Sequence, residues 1–253
     1  MKRLPLYIAI LSCVCVMALP HASAASKDWE TRFFESNQAY SAGDFQKAIQ
    51  GYGQLIRSGH GTGDIYYNLG NAYLKAHRLG KAIWAYERAR VVMPRNADLN
   101  YNLAYARDQT LDAIPESRGL MHNVLFWLDY VSLPEIFWGF AILNLFFWTA
   151  LLIRLFMKAE WLFYLIILLL PCWGIAGGSF AVKWYQMIHD DRAVIVAKEA
   201  DVRAGPHPSD TLLFKLHEGA TVHAERAEDG WRLIRLSNEK RGWVKGEALK
   251  AVR

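Results

Sequence analysis

Two uncharged apolar runs, 136–153 and 161–182, limit what this chain can fold into more than anything else in it. A helix needs about 20 apolar residues to cross the ~30 Å hydrocarbon core of a bilayer. The second run reaches that length. The first does so by continuing past Arg154 through Leu155, Phe156 and Met157, with the Arg154 side chain reaching out to the interface. The expected transmembrane helices are therefore 136–157 and 161–182. The turn between them is too short for anything but a hairpin, which returns the chain to the side it left. The regions before and after the hairpin are expected to share one compartment.

The 253 residues leave room for two small domains besides these helices. The net charge of +5 is spread along the chain, which argues against a nucleic-acid-binding arm. Lys2 and Arg3, an apolar stretch, Pro20 and then Ala22-Ser23-Ala24 have the layout of a secretory signal, expected to occupy 1–25. Ile10-Leu11-Ser12-Cys13 loosely resembles a lipobox, and an uncleaved anchor is a third reading. The apolar core running past Cys13 into Ala-x-Ala favours ordinary cleavage. Cys13 and Cys15 would leave with the signal, so Cys172, inside the second span, has no partner for a disulfide. Export places the region after residue 25 outside the cytoplasm, and Arg154 and Lys158 then mark a cytoplasmic turn under the positive-inside rule.

Residues 63–96 carry small and aromatic residues at helical spacing. Tyr66, Leu69, Gly70 and Tyr73 share one helix face, Ala82, Tyr86 and Ala89 another, and Pro94 stops the second helix. This pattern closely resembles the tetratricopeptide repeat, whose period is about 34 residues. A weaker copy precedes it, with Gly43-Asp44-Phe45, Ala48 and Tyr52 in register; Glu35, Ala39 and His60 depart from the pattern, as suits a terminal repeat. Leu99 to Ala104 echo Ile65 to Gly70, so a closing helix ends a domain spanning 26–113. Such arrays bind extended peptides or partner helices on the side lined by the first helix of each repeat. By position that side carries Asn37, Tyr67, Asn71, Lys75, Tyr101 and Tyr105. Asn amides can pair with a peptide backbone, while the tyrosines either contact a ligand or fill the packing between repeats.

Pro115, Ser117 and Gly119 mark a linker, and 114–135 as a whole reads as linker plus interfacial segment, with Trp127 and Tyr130 at the outer leaflet. In the second span Gly174 and Gly178 form Gly-x-x-x-Gly, suited to close contact with the first span or with a partner protein. Asn144 is expected to hydrogen-bond to a neighbouring helix and Pro171 to kink the second span.

From 192 to 253 short alternating segments are divided by turns such as Glu218-Gly219 and Asp229-Gly230. Five strands that close into a small barrel are expected. Val202-Arg203-Ala204-Gly205-Pro206, the Glu-Gly turn and Gly242-Trp243-Val244 resemble the bacterial SH3-like fold. The resemblance implies a shallow groove for peptides or cell-wall peptide stems, with Trp243 in contact and Trp231 in the core. His207, His217 and His223 lie on separate turns without a Cys, so no metal site is expected, nor any other cofactor. No nucleophile–base pair or paired carboxylates stand out, and no enzyme is expected.

The expected architecture is multidomain: an α-helical tetratricopeptide array, a two-helix transmembrane hairpin and a small all-β SH3-like barrel. This order, with Tyr67 to Tyr73 and the two C-terminal motifs, resembles the BatE proteins of the Bacteroides-aerotolerance type. The resemblance implies an inner-membrane scaffold with both soluble modules in the periplasm. It also implies partnership with von Willebrand A-domain membrane proteins and a MoxR-type ATPase, in envelope integrity and oxygen tolerance. The alternative is a protein that recognises peptidoglycan and recruits a hydrolase.

Overall fold

The computed structural model describes residues 25–112, 114, 125–237 and 239–253. The signal region before Ala25 lies outside the described residues, as do linker residues Pro115, Ser117 and Gly119. Five helices come first: α1 (Ala25–Ser41), α2 (Phe45–Arg57), α3 (Gly63–Lys75), α4 (Leu79–Val92) and α5 (Ala97–Asp108). Three of their starts are written in the sequence. The side-chain oxygens of Asp44, Thr62 and Asn96 accept from the backbone N–H three residues on, at 3.0, 3.4 and 2.9 Å. Gly43, at φ 81°, makes the left-handed turn between α1 and α2; His77, at φ 56°, takes that place between α3 and α4. Close packing depends on small residues. Ala48, Ala82, Ala85 and Ala89 are fully buried, and a Cβ on Gly70 would come 2.5 Å from the Tyr86 ring.

A 3-10 turn (Phe126–Asp129) leads into α6 (Leu133–Phe156), which is followed by α7 (Glu160–Ile188). Both helices are long and apolar enough to cross a membrane. The seam between them is aromatic, with Trp173 stacked on Phe147 at 5.5 Å and tilted against Phe140 at 6.1 Å. The small residue in that seam is Gly177, whose Cβ would lie 3.1 Å from Phe140. Gly174 and Gly178, expected to meet the first span, instead have nothing within 4 Å of their Cβ positions. The reason is helical phase, since Gly177 is rotated about 100° per residue from either neighbour. Asn144 is half-buried, and its amide makes no hydrogen bond to another described residue. The helix α7 runs through Pro171 and past 182 to Ile188. The 3-10 turn is pinned to it: Trp127 Nε1 donates to Ser179 Oγ at 3.1 Å, and Lys183 Nζ to the Leu128 carbonyl at 2.6 Å.

The C-terminal region is an antiparallel sheet of seven strands, two more than expected: β1 (Arg192–Ile195), β2 (Glu199–Arg203), β3 (Leu212–His217), β4 (Thr221–Glu228), β5 (Trp231–Arg235), β6 (Arg241–Lys245) and β7 (Leu249–Ala251). Charges interrupt β2 and β7 is very short, so neither shows a clear alternating pattern. The order β3-β2-β6-β5-β4-β1-β7 does not return on itself, so the expected closure is not made. Instead α4 covers the β7 edge. Trp84 Nε1 donates to the Ala251 carbonyl at 2.7 Å and Arg88 Nη1 to the Val252 carbonyl at 2.9 Å, while Lys250 Nζ lies 4.3 Å above the Trp84 ring.

The helices and the sheet thus share a core: Val194 and Val252 are buried among the helical residues. The Glu218 carboxylate, from the turn after β3, accepts from Gly80 N at 3.1 Å and caps the start of α4, where no side chain of the helix does so. Asp112, just after α5, accepts from His217 N at 2.6 Å. At the centre is Glu87, whose side chain is 1% exposed. It accepts from Arg90 at 2.9 Å, Arg107 at 2.5 Å and Arg192 at 3.4 Å, joining α4, α5 and β1. The same end also meets the hairpin. Arg95 pairs with Glu135 at the start of α6, and Arg253 Nη1 donates to the carbonyls of Met187 and Ile188 at the end of α7, both at 2.7 Å.

Candidate functional site

The first helices of the array carry a ladder of side-chain amides that repeats with the sequence period. Asn37 Oδ1 accepts from Tyr52 Oη at 2.6 Å and from Asn68 Nδ2 at 3.2 Å. One repeat on, Asn71 Oδ1 accepts from Tyr86 Oη at 2.7 Å and from Asn102 Nδ2 at 3.0 Å. Asn102 Nδ2 also reaches Tyr67 Oη at 3.2 Å. Burial, with Tyr40 nearby, pushes the Tyr52 phenol up to about 12, and burial raises Tyr86 as well, so both hydroxyls remain protonated donors at physiological pH. The bonds given use only the carbonyl ends of Asn37 and Asn71, and each NH₂ has two donors to offer a ligand.

The expected groove residues therefore fall into two groups. Asn37, Tyr67 and Asn71 come together in the half-buried ladder. Tyr101 and Tyr105, one turn apart on α5, are 73% and 55% exposed, and Lys75 is exposed on the last turn of α3. Asn68 and Asn102 were missed at the sequence level. The signal for them lay in the echo of 65–70 by 99–104, since both Asn occupy the same place in it.

Trp243 does not serve as an exposed contact. It is 6% exposed, hardly different from Trp231 at 8%, and the Arg226 guanidinium covers its ring at 5.0 Å. Alternation does turn it away from the face of Val244, but Arg226 on β4 closes over that other face. Trp243→Ala is thus expected to act on stability, lowering it by about 3 kcal/mol or more as buried aromatic truncations do. A thermal melt of the variant that matches the parent would show that the ring is not part of the core.

Of the three histidines, His217 Nδ1 lies 3.2 Å from Asp112 and His223 Nδ1 2.6 Å from Asp191, while the His207 backbone N–H donates to Asp210 at 2.8 Å. No group of three metal-ligating side chains occurs among the described residues. No protein-family model matches the sequence, and no curated protein matches it. The site therefore rests on its own geometry.

Proposed function

We propose that this chain is a membrane-held interaction scaffold of the inner membrane, with its helical array and sheet in the periplasm. The array is read as a short tetratricopeptide domain and the sheet as an SH3-like module, on the motifs described above. The observation that carries the reading is the amide ladder beside exposed Tyr101 and Tyr105: donors spaced one repeat apart, flanked by rigid amphipathic rings, suit an extended peptide segment of a partner. Resemblance to the BatE proteins makes a von Willebrand A-domain membrane protein the expected partner class. The docking of array against sheet alters the mechanism expected for two separately tethered modules. A partner meets one packed head, held at both ends of the hairpin, so its orientation to the bilayer is restricted before binding. This is a binding protein, not a catalyst.

A photo-crosslinker at position 105, in native membranes, is expected to capture a discrete membrane protein that the same group at Val91, exposed on α4, does not. Tyr101→Ala with Tyr105→Ala is expected to weaken capture about tenfold or more with little change in stability, as for exposed aromatic anchors. Identical products from positions 105 and 91 would sink the groove.

A further inference from the structure

At the turn between α6 and α7 is an open cleft of about 470 Å³ lined by Arg154, Lys158, Glu160, Phe163 and Tyr164. Its chemistry is two-sided. The Arg154 guanidinium lies 5.0 Å above the Phe163 ring and makes one long bond, 3.4 Å, to the Ala159 carbonyl. A guanidinium has five N–H donors, so most of its capacity is left for a ligand. Lys158 adds a second cation beside it. Around them Leu155, Phe156 and Trp161 are 78%, 83% and 61% exposed, an apolar collar that no described residue covers. A cationic floor inside an apolar rim matches a ligand with an anionic head and hydrocarbon tails.

We propose that this cleft holds the phosphodiester of a membrane glycerophospholipid, bound by Arg154 and Lys158, with an acyl chain along Phe156 and Phe163. The collar is what separates a lipid from free phosphate, which would have no use for it. Glu160 narrows the choice of headgroup. Its carboxylate faces the same cleft and accepts hydrogen bonds, so it favours a head carrying a donor, ammonium or hydroxyl, over the donor-free choline. The proposal rests on the hairpin crossing a bilayer, but not on what the periplasmic head binds.

The test is native mass spectrometry of the full chain, released from nanodiscs of equal parts phosphatidylethanolamine, phosphatidylglycerol and phosphatidylcholine. The expected result is retained ethanolamine or glycerol lipid over choline lipid. Arg154→Ala with Lys158→Ala is expected to reduce that retention about tenfold, the loss of one charge-assisted contact. Glu160→Gln is expected to shift the balance from ethanolamine towards glycerol lipid. Equal retention of all three lipids overturns the proposal, as does retention unchanged in the double variant. Displacement of the lipid by inorganic phosphate overturns the lipid as the source of the phosphate. Carbonate extraction of cell membranes separates the two readings: a chain that stays in the membrane yet shows no lipid preference removes this site alone, and a chain that is released removes the hairpin as well.

Discussion

Glu87→Ala is expected to destabilise the solubilised full chain by about 3 kcal/mol, the lower end for removing one partner of a buried ion pair. The lower end applies because Arg90, Arg107 and Arg192 are 30%, 31% and 32% exposed and can regain water, whereas the carboxylate they surround is 1% exposed. The loss should spread beyond α4. Arg107 holds α5, and Arg192 holds the first strand and also Asp190, through bonds of 2.7 Å to each carboxylate oxygen. Burial pushes the Asp190 carboxyl up, but the contacts with Arg192 outweigh it and leave it below the ordinary carboxylate range. Glu87→Gln retains the shape and part of the bonding and should cost less. Chemical unfolding followed by Trp fluorescence measures both. A change within about 0.5 kcal/mol for the alanine variant, as at an ordinary surface position, would mean that the three guanidiniums do not depend on Glu87.

Gly80→Ala should be about as damaging, against the helix propensity of the residue introduced. Alanine in place of an interior helical glycine normally stabilises by about 0.5–1 kcal/mol. Here the new Cβ would overlap the Ile195 carbonyl oxygen and sit 3.1 Å from both Glu218 Cβ and Gly219 N. Backbone on the far side of a contact cannot swing aside as a side-chain tip can, so the helix and sheet must separate. Overpacking of this kind costs about 1–3 kcal/mol, and loss of the Glu218 cap about 1 kcal/mol more. Gly53, in α2, supplies the control. A Cβ there meets only the Arg57 side chain at 3.4 Å, and Gly53→Ala should be neutral or stabilising. If both alanine variants raise the unfolding midpoint, array and sheet are not docked through Gly80.

These two positions also show where reading the sequence stopped. The repeat was legible because each small or aromatic residue recurs about every 34 positions, and recurrence needs no knowledge of the neighbours. The hairpin was legible because length and polarity alone decide whether a segment can cross a bilayer. The docking face was present in the sequence only as a difference between repeats. Gln46, Gln50 and Gln54 are exposed on α2, and one repeat on the same places on α4 hold Gly80, Trp84 and Arg88, all three turned to the sheet. That substitution marks a face as special without saying what covers it. Trp243 and the Gly174/Gly178 pair went the other way. Their types suggested contacts, but exposure depends on what lies opposite, and Arg226 covers one while helical phase turns the other from the hairpin seam.

What the sequence alone determined was local: the period of the helices, the caps that start them, the length of the spans and most of the strands. All follow from residues a few positions apart, or from composition. What only the tertiary structure decided was long-range: an open sheet whose last strand is covered by a helix, an acid joining three arginines, and two modules packed as one head. These depend on which surfaces meet across a hundred residues or more of chain, and spacing along the sequence does not encode that distance.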